Sequence, residues 1–403
     1  MFVTYNFVTY NVVTNEKYHY LWQKKKNIMS NPFVFGSATS GEQFTNRTQD
    51  VDRLLANFTH GISSIVISPR RWGKTSLVQK VSALARVDNL KVVNIDIFSC
   101  RDVNDFYLLF ATEVIKQTAS KWEEWADNAK QFLSALIPKI SFGVDPQNDF
   151  SVSFDFSNAK LNDDVLDLPQ KIAKEKGYRI VVCIDEFQQL CEFTDHIHFQ
   201  KKLRSVWQLQ KEVSYCLYGS KKHLMTELFS KQSMPFYKFG DVFFLQKIST
   251  NDWISFICER FESTGKKISR KQAKLISDTV ENHSSYVQQL AWNVWVKTKD
   301  ITKDADVESS ITDLFNQNAI LYYRYVEELT GYQLNFLRAV AEDIHSEFTK
   351  SEVLQKYQLG TSANVKRLKD ALEKKELIDI TEKTVSFNDP VFKLWFQKNL
   401  RRL

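Results

Sequence analysis

Residues 68–76 read SPRRWGKTS. A Gly-Lys-Thr triplet that follows a short loop and opens a helix aims backbone N–H groups at an anion, because the first N–H groups of a helix have no partner within it. In such a phosphate cradle Gly73 makes the last turn, Lys74 reaches the β- and γ-phosphates of a nucleoside triphosphate, and the Thr75 hydroxyl ligates Mg²⁺. Pro69, Arg70, Arg71, Trp72 and Ser76 complete the expected phosphate-contacting set. The sequence departs from GxxxxGK[ST] at its first position, where Ser68 replaces glycine. Serine fits there if its φ is negative, since only a positive φ or a very close approach demands glycine.

Two carboxylates form the second constellation. The apolar run 180–184 (IVVCI) is followed by Asp185 and Glu186. A buried strand that delivers two acids at its C-terminal end places them in the crevice where open α/β sheets bind ligands. Asp185 is the expected holder of Mg²⁺, directly or through water, and Glu186 the general base that polarises an attacking water. A solvated acid pair at a strand end is the plain alternative. The run 214–220 (SYCLYGS) ends a further strand with Ser220, a candidate for contact with the γ-phosphate or the water, or else an ordinary turn serine. Arg204, Arg70 and Arg71 are the candidates for a cation that stabilises transition-state charge. His196 and His198, two residues apart and without a completing Cys or carboxylate pattern, are poor metal partners.

The elements that position these groups follow from hydrophobic periodicity. Continuous β-branched runs at 64–68, 91–98, 179–184, 214–218 and 242–245 alternate with helical stretches at 74–86, 103–119 and 198–210. Buried strands separated by helices predict a parallel sheet covered on both faces. Residues 139–156 (KISFGVDPQNDFSVSFDF) read as two alternating runs around the turn DPQND, an inserted β-hairpin. After residue 246 helical periodicity takes over, at 253–261, 270–281, 286–298 and 307–329. From 332 onward, three helices and two short strands (LIDIT, TVSFN) predict a winged helix-turn-helix. Trp292, Trp295, Phe392, Trp395 and Phe396 fall at helical spacing and are expected in the core. The expected domains are therefore 1–30, an extension upstream of the folded body in which FVTYN is repeated at 2–6 and 7–11; 31–245, the phosphate-binding domain; 246–330, a helical lid; and 331–403, the winged helix.

These motifs together resemble one family. NPFVFG, Phe44-Thr45-Asn46-Arg47, SPRRWGKTS, VVCIDEFQQL, LYGSKKHLM and FNDPVFKLWF, in that order over residues 31–403, look like the archaeal-type ATPases of the STAND/AAA-related P-loop class. The resemblance implies an ASCE/AAA-like P-loop NTPase fold with an extra strand between the loop strand and the acid strand, a helical lid and a C-terminal winged helix. It also implies ATP with Mg²⁺, using Lys74, Thr75, Asp185 and Glu186 as above. Asn46-Arg47-Thr48 stands where the family has Gly-Arg-Glu, which puts Arg47 on the adenine side. His283-Ser284-Ser285-Tyr286 stands where the family has a proline-containing motif, and Ser284 or Ser285 as a helix N-cap explains that stretch equally well.

Composition narrows the remaining choices. The 403 residues carry 54 basic and 48 acidic side chains, for a net charge of +6. Residues 331–403 contribute thirteen basic and ten acidic side chains of these, a weak positive balance compatible with nucleic-acid contact. Lys366, Arg367 and Lys369 on the second helix of the helix-turn-helix are the expected duplex-DNA contacts; a protein-interaction role for the same module is the alternative. No apolar run reaches membrane-spanning length, and five scattered cysteines with no CxxC pair fit a reducing cytoplasm rather than a disulfide framework. Three functions fit: a nucleotide-driven switch ATPase, possible as an oligomer; a DNA-binding initiator or transposition helper; and a scaffold that holds nucleotide without hydrolysis. Glu186 argues against the last, since a pure binder needs no such base.

Overall fold

The computed structural model describes residues 31–39, 41–85, 89–118, 141–144, 150–153, 159–381 and 383–399. The expected extension at 1–30, its repeated pentamer and the hairpin turn at 145–149 lie outside them. Helix α1 (Thr48–His60) buries Leu54 and Phe58 and ends at Gly61, whose φ of 71° closes the helix in the left-handed conformation that glycine adopts without strain. Strand β1 (Ser64–Ile67) is buried throughout and leads through the 68–73 loop into α2 (Lys74–Leu84). Next come β2 (Leu90–Asp96), α3 (Val103–Thr118), the hairpin strands β3 (Ser141–Val144) and β4 (Phe150–Ser153), α4 (Ala159–Leu166), α5 (Leu168–Lys176) and β5 (Arg179–Asp185). A 3₁₀ turn at Phe187–Glu192, α6 (His196–Trp207), β6 (Val213–Gly219), α7 (Lys222–Ser230) and β7 (Asp241–Phe244) complete this part.

The sheet order is β2-β5-β6-β1-β7, with every pair parallel. Strand β6 therefore lies between the loop strand β1 and the acid strand β5, as the resemblance implied. Alternation along the strands sends side chains to two separate cores. Ile65, Ile67, Val182, Ile184 and Leu217 face α3, α6 and α7. Val66, Val181, Cys183, Cys216 and Tyr218 face Leu54 and Phe58 of α1 and Leu77, Val78 and Val81 of α2. Apolar residues on both faces are why the strands read as unbroken runs. All five cysteines are free thiols.

The helical part runs α8 (Thr250–Ser263), α9 (Arg270–Thr279), α10 (Ser284–Lys297) and α11 (Asp304–Glu327). It continues into α12 (Gly331–Ala341), α13 (Ser351–Lys356), α14 (Ser362–Lys374), the wing β8 (Ile378–Thr381) and β9 (Thr384–Phe387), and α15 (Pro390–Asn399). One hydrophobic cluster joins these two groups of elements, from Trp253 and Leu290 to Phe336, Phe392 and Phe396. Tyr322 of α11 packs on Phe392 and Trp395 of α15, and its hydroxyl donates to Asp389 at 3.1 Å. The helices before residue 330 and the winged-helix elements after it thus share a core. Phe33 joins the same cluster, against Phe256 and Phe261, so the 31–39 segment packs on the helical part ahead of the sheet. Among the described residues no helix is long and apolar enough to cross a membrane.

Candidate nucleotide site

The C-terminal ends of β1, β5 and β6 lie side by side, with Ile67 in register with Gly219 and Ile184 with Leu217. That alignment brings residues far apart in sequence to one edge. Ser68 is buried and is absent from the residues with positive φ, so its substitution for glycine requires no strained backbone. The turn is made instead by Arg71 (φ 63°) and Gly73 (φ 96°). Lys74 is buried, and its ammonium donates to the carbonyls of Ser68 at 3.0 Å and Pro69 at 3.2 Å. Burial outweighs the nearby Glu186 and Asp185 carboxylates and lowers its pKa to about 8.

The Thr75 hydroxyl donates to Asp185 Oδ2 at 2.8 Å, while Asp185 Oδ1 accepts the Glu186 N–H at 2.8 Å. Burial raises the Asp185 pKa to about 6 despite both hydrogen bonds. Two hard oxygen donors at one corner suit Mg²⁺, which takes one or two protein oxygens together with phosphate oxygens. Glu186 has a left-handed backbone (φ 52°), and its Oε2 accepts from Ser220 Oγ at 3.0 Å and from Gln188 Nε2. Gln188 is buried with its Oε1 unpartnered. It fits only because Gly219 carries no side chain: a Cβ there would lie 1.9 Å from Gln188 Oε1.

A pocket of ≈ 400 Å³ opens over this corner, walled by Arg70, Arg71, Gly73 to Ser76, Glu186 and Ser220 on the sheet side. Its other walls are Phe35 to Thr39, Phe98, and Ser284, Ser285 and Gln288 of α10. The entry segment is tied in place by Thr39 N–H to Ser76 Oγ at 2.9 Å and Val34 N–H to Gln288 Oε1 at 3.2 Å. Gln188, Phe98 and Gln288 were not anticipated; Gly36-Ser37-Ala38-Thr39, a run of small residues, was the one available signal that a ligand could approach backbone there.

Several expected residues lie elsewhere. Arg47 is buried behind the loop, where its guanidinium donates to the carbonyls of Trp72 (2.8 Å) and Gln246 (3.0 Å) and to Asp50 (3.2 Å). Those bonds engage three of its five N–H groups and hold the side chain against the loop. Arg204 stands over the Phe239 ring at 4.9 Å and donates to Gln208, near the start of β7 rather than at the edge bearing Ser220. Pro69 faces a neighbouring cavity, and Lys247 lies 5.7 Å above the Trp72 ring. The N-cap of α10 is His283, not a serine; Ser284 Oγ instead donates to the Trp72 carbonyl at 3.4 Å. Burial, with Lys247 and Arg71 nearby, lowers the His283 pKa to about 3. On α14, Lys366 and Arg367 are exposed, whereas Lys369 is half-buried with its ammonium 4.9 Å over the Phe348 ring.

The solved structure of the Walker-type ATPase PABY2304 of Pyrococcus abyssi superposes on 91% of this chain and 99% of its own, with a TM-score of 0.63 at 14% identity. The ORC2 protein of Aeropyrum pernix, solved in ADPNP–ADP complexes, covers 92% of this chain and 98% of its own, with a TM-score of 0.57 at 13% identity. The chain has the fold of these two proteins. Residues 320–398 match the family model described as "Probable winged helix domain", a span that starts inside α11 and so includes the tyrosines that pack on α15. No curated protein matches the sequence.

Proposed function

We propose that this chain binds ATP with Mg²⁺ and hydrolyses it, acting as a nucleotide-driven switch that works on duplex DNA or a protein through its winged helix. The observation that carries the reading is the convergence of Lys74, Thr75, Glu186 and Ser220 on one pocket, with Asp185 directly behind Thr75 at 2.8 Å and Ser220 and Glu186 3.0 Å apart. Lys74 neutralises phosphate charge, and its ammonium exchanges two loop carbonyls for phosphate oxygens when a ligand enters. Thr75 and Asp185 would hold the cation, which would supply positive charge to offset that of the phosphates. Glu186 accepts a proton from the attacking water, with Ser220 and Gln188 fixing the carboxylate. Arg70 and Arg71 are the cations at hand for developing charge, since both line the pocket. The small residues of the entry segment and Gln288 take the base side. The ADPNP and ADP bound to ORC2, a protein of the same fold, support the choice of an adenine nucleotide.

Exposed Lys366 and Arg367 at the N-terminal half of α14 support duplex DNA as one partner class. One experiment tests the whole reading: calorimetric ATP binding and turnover, with and without duplex DNA, for the wild type, Lys74→Ala and Glu186→Gln. Lys74→Ala is expected to lose binding, and Glu186→Gln to keep binding but lose turnover by about 10²–10⁴-fold. Unchanged affinity in Lys74→Ala removes the phosphates from this loop, and sustained turnover in Glu186→Gln removes the base.

A further inference from the structure

The loop at 68–73 has a second side. Arg70 and Arg71 also line a cavity of ≈ 280 Å³ whose opposite wall is the winged helix. Across it, Arg70 Nε lies 3.1 Å from Glu376 Oε2, just after α14. Lys222, two residues past Ser220, donates to Asp379 at 2.8 and 3.0 Å and to Thr381 Oγ1 at 2.6 Å, both on strand β8 of the wing. The cations that hold the wing therefore flank the phosphate end of the nucleotide pocket, and Arg70 belongs to both spaces.

The Glu376 contact lacks the features of a permanent tie. Glu376 has a φ of 56°, in the left-handed region that favours glycine. Its Oε1 is buried with no partner, so the pair is not the two-pronged arrangement that makes arginine–carboxylate bonds strong. Arg70 is 56% exposed, so its side chain has room to turn. A strained backbone and an unpaired buried oxygen both cost free energy, which leaves a contact that a better anion displaces.

We propose that the Glu376 carboxylate competes with the terminal phosphate of a bound nucleoside triphosphate for Arg70, so that the Arg70–Glu376 pair sets the preference between tri- and diphosphate and passes that choice to the wing. The inference rests on the reading of the pocket as a nucleotide site. A diphosphate ends at Lys74 and leaves Arg70 with Glu376. A third phosphate, shared with Lys74, offers Arg70 several charged oxygens in place of one and leaves Lys222–Asp379 as the remaining ion pair among those described between the sheet part and the winged helix.

The test titrates ADP and a non-hydrolysable ATP analogue, each with Mg²⁺, into the full chain as wild type, Glu376→Gln, Arg70→Gln and the double variant. Removing the competitor in Glu376→Gln is expected to tighten the triphosphate about two- to fivefold, the range of a partly exposed ion pair, and to leave ADP unchanged. In the Arg70→Gln background the same Glu376→Gln change is expected to have no effect. Hydrogen exchange on the wild type provides a second readout that needs no variant: amides of 376–387 exchange faster with the triphosphate analogue than with ADP. An equal gain for both nucleotides, no gain, or wing exchange that ignores the third phosphate overturns the competition while the nucleotide site stands. Failure of the wild type to bind either nucleotide overturns both.

Discussion

Lys74 and Arg70 sit in the same loop, yet their surroundings differ in the one respect that decides what a cation can do. Lys74 is 6% exposed, rests on two carbonyl oxygens and faces two carboxylates, and its pKa is lowered to about 8. Arg70 is mostly in solvent and pairs with a carboxylate from another part of the chain. Burial makes a charge expensive, and the hydrogen bonds described for the Lys74 ammonium go to neutral carbonyls, so under the proposed function the inner face gains most from an anionic ligand. Exposure makes a pair weak and easily exchanged, so the outer face suits a contact that comes and goes. On the proposed reading, cations of one loop serve binding on one side and docking on the other.

The largest effect that can separate the two faces is expected at Arg47, the brace on the inner side. Its guanidinium ties the loop carbonyl of Trp72 to the carbonyl of Gln246, at the exit from β7 toward the helical part. Arg47→Ala leaves both acceptors and Asp50 without this partner, at a cost of about 2–4 kcal/mol in unfolding free energy. Arg47→Lys is expected to recover less than half, because one ammonium cannot reproduce a planar fork. Denaturant titration checks both, and wild-type stability in Arg47→Ala rejects the brace.

Arg47 also marks where sequence reading stops. Lys74, Thr75 and Asp185 were legible because each follows from a pattern with a physical cause: an apolar strand, a short turn, then a helix start or a strand end. The parallel sheet was legible for the same reason. A cation near a phosphate loop reads as a ligand contact in sequence, yet Arg47 points to carbonyls, and nothing local distinguishes the two. Arg204 and Lys369 turned toward aromatic rings brought in from Phe239 and Phe348. Gln188 was missed because its role depends on a 3₁₀ turn and on the space left by Gly219, 31 residues away in the neighbouring strand. Gln288 reaches the pocket only because the 31–39 segment packs against α10, a contact across 254 residues. The single core shared by the 250–327 helices and the winged helix was hidden because helical periodicity shows which face is apolar and not what covers it.

A middle-sized effect tests the inner face through pH. The Asp185 pKa of about 6 lies above its unfolded value, so this carboxyl stabilises the ligand-free fold below about pH 4, and that contribution is lost as pH rises through 6. Cation binding needs the ionised form and runs the other way. Mg²⁺-dependent nucleotide affinity is therefore expected to fall about tenfold, or about 1.4 kcal/mol, per pH unit below 6. Because the phosphates titrate nearby, the measured quantity is the difference between wild type and Asp185→Asn, which isolates the carboxylate. On the alkaline side, loss of the Lys74 proton above about pH 8 weakens binding again. A wild-type curve parallel to that of Asp185→Asn from pH 4.5 to 7 removes Asp185 from the cation.

The smallest effect belongs to the outer face. Lys222 and Asp379 are each about one-fifth to one-quarter exposed, and their bond at 2.8 Å is reinforced by the Thr381 hydroxyl. Lys222→Ala is expected to cost no more than about 1 kcal/mol of stability at low ionic strength, and less in high salt, where screening shortens the reach of charge. Arg47→Ala, which removes a buried guanidinium bonded mainly to neutral carbonyls, is expected to show much less salt dependence. Measuring both variants at low and high salt therefore separates the faces by sensitivity as well as by size. If Lys222→Ala proves as costly as Arg47→Ala and equally indifferent to salt, the wing is a fixed part of the core, and a contact that exchanges with a phosphate has no place at this surface.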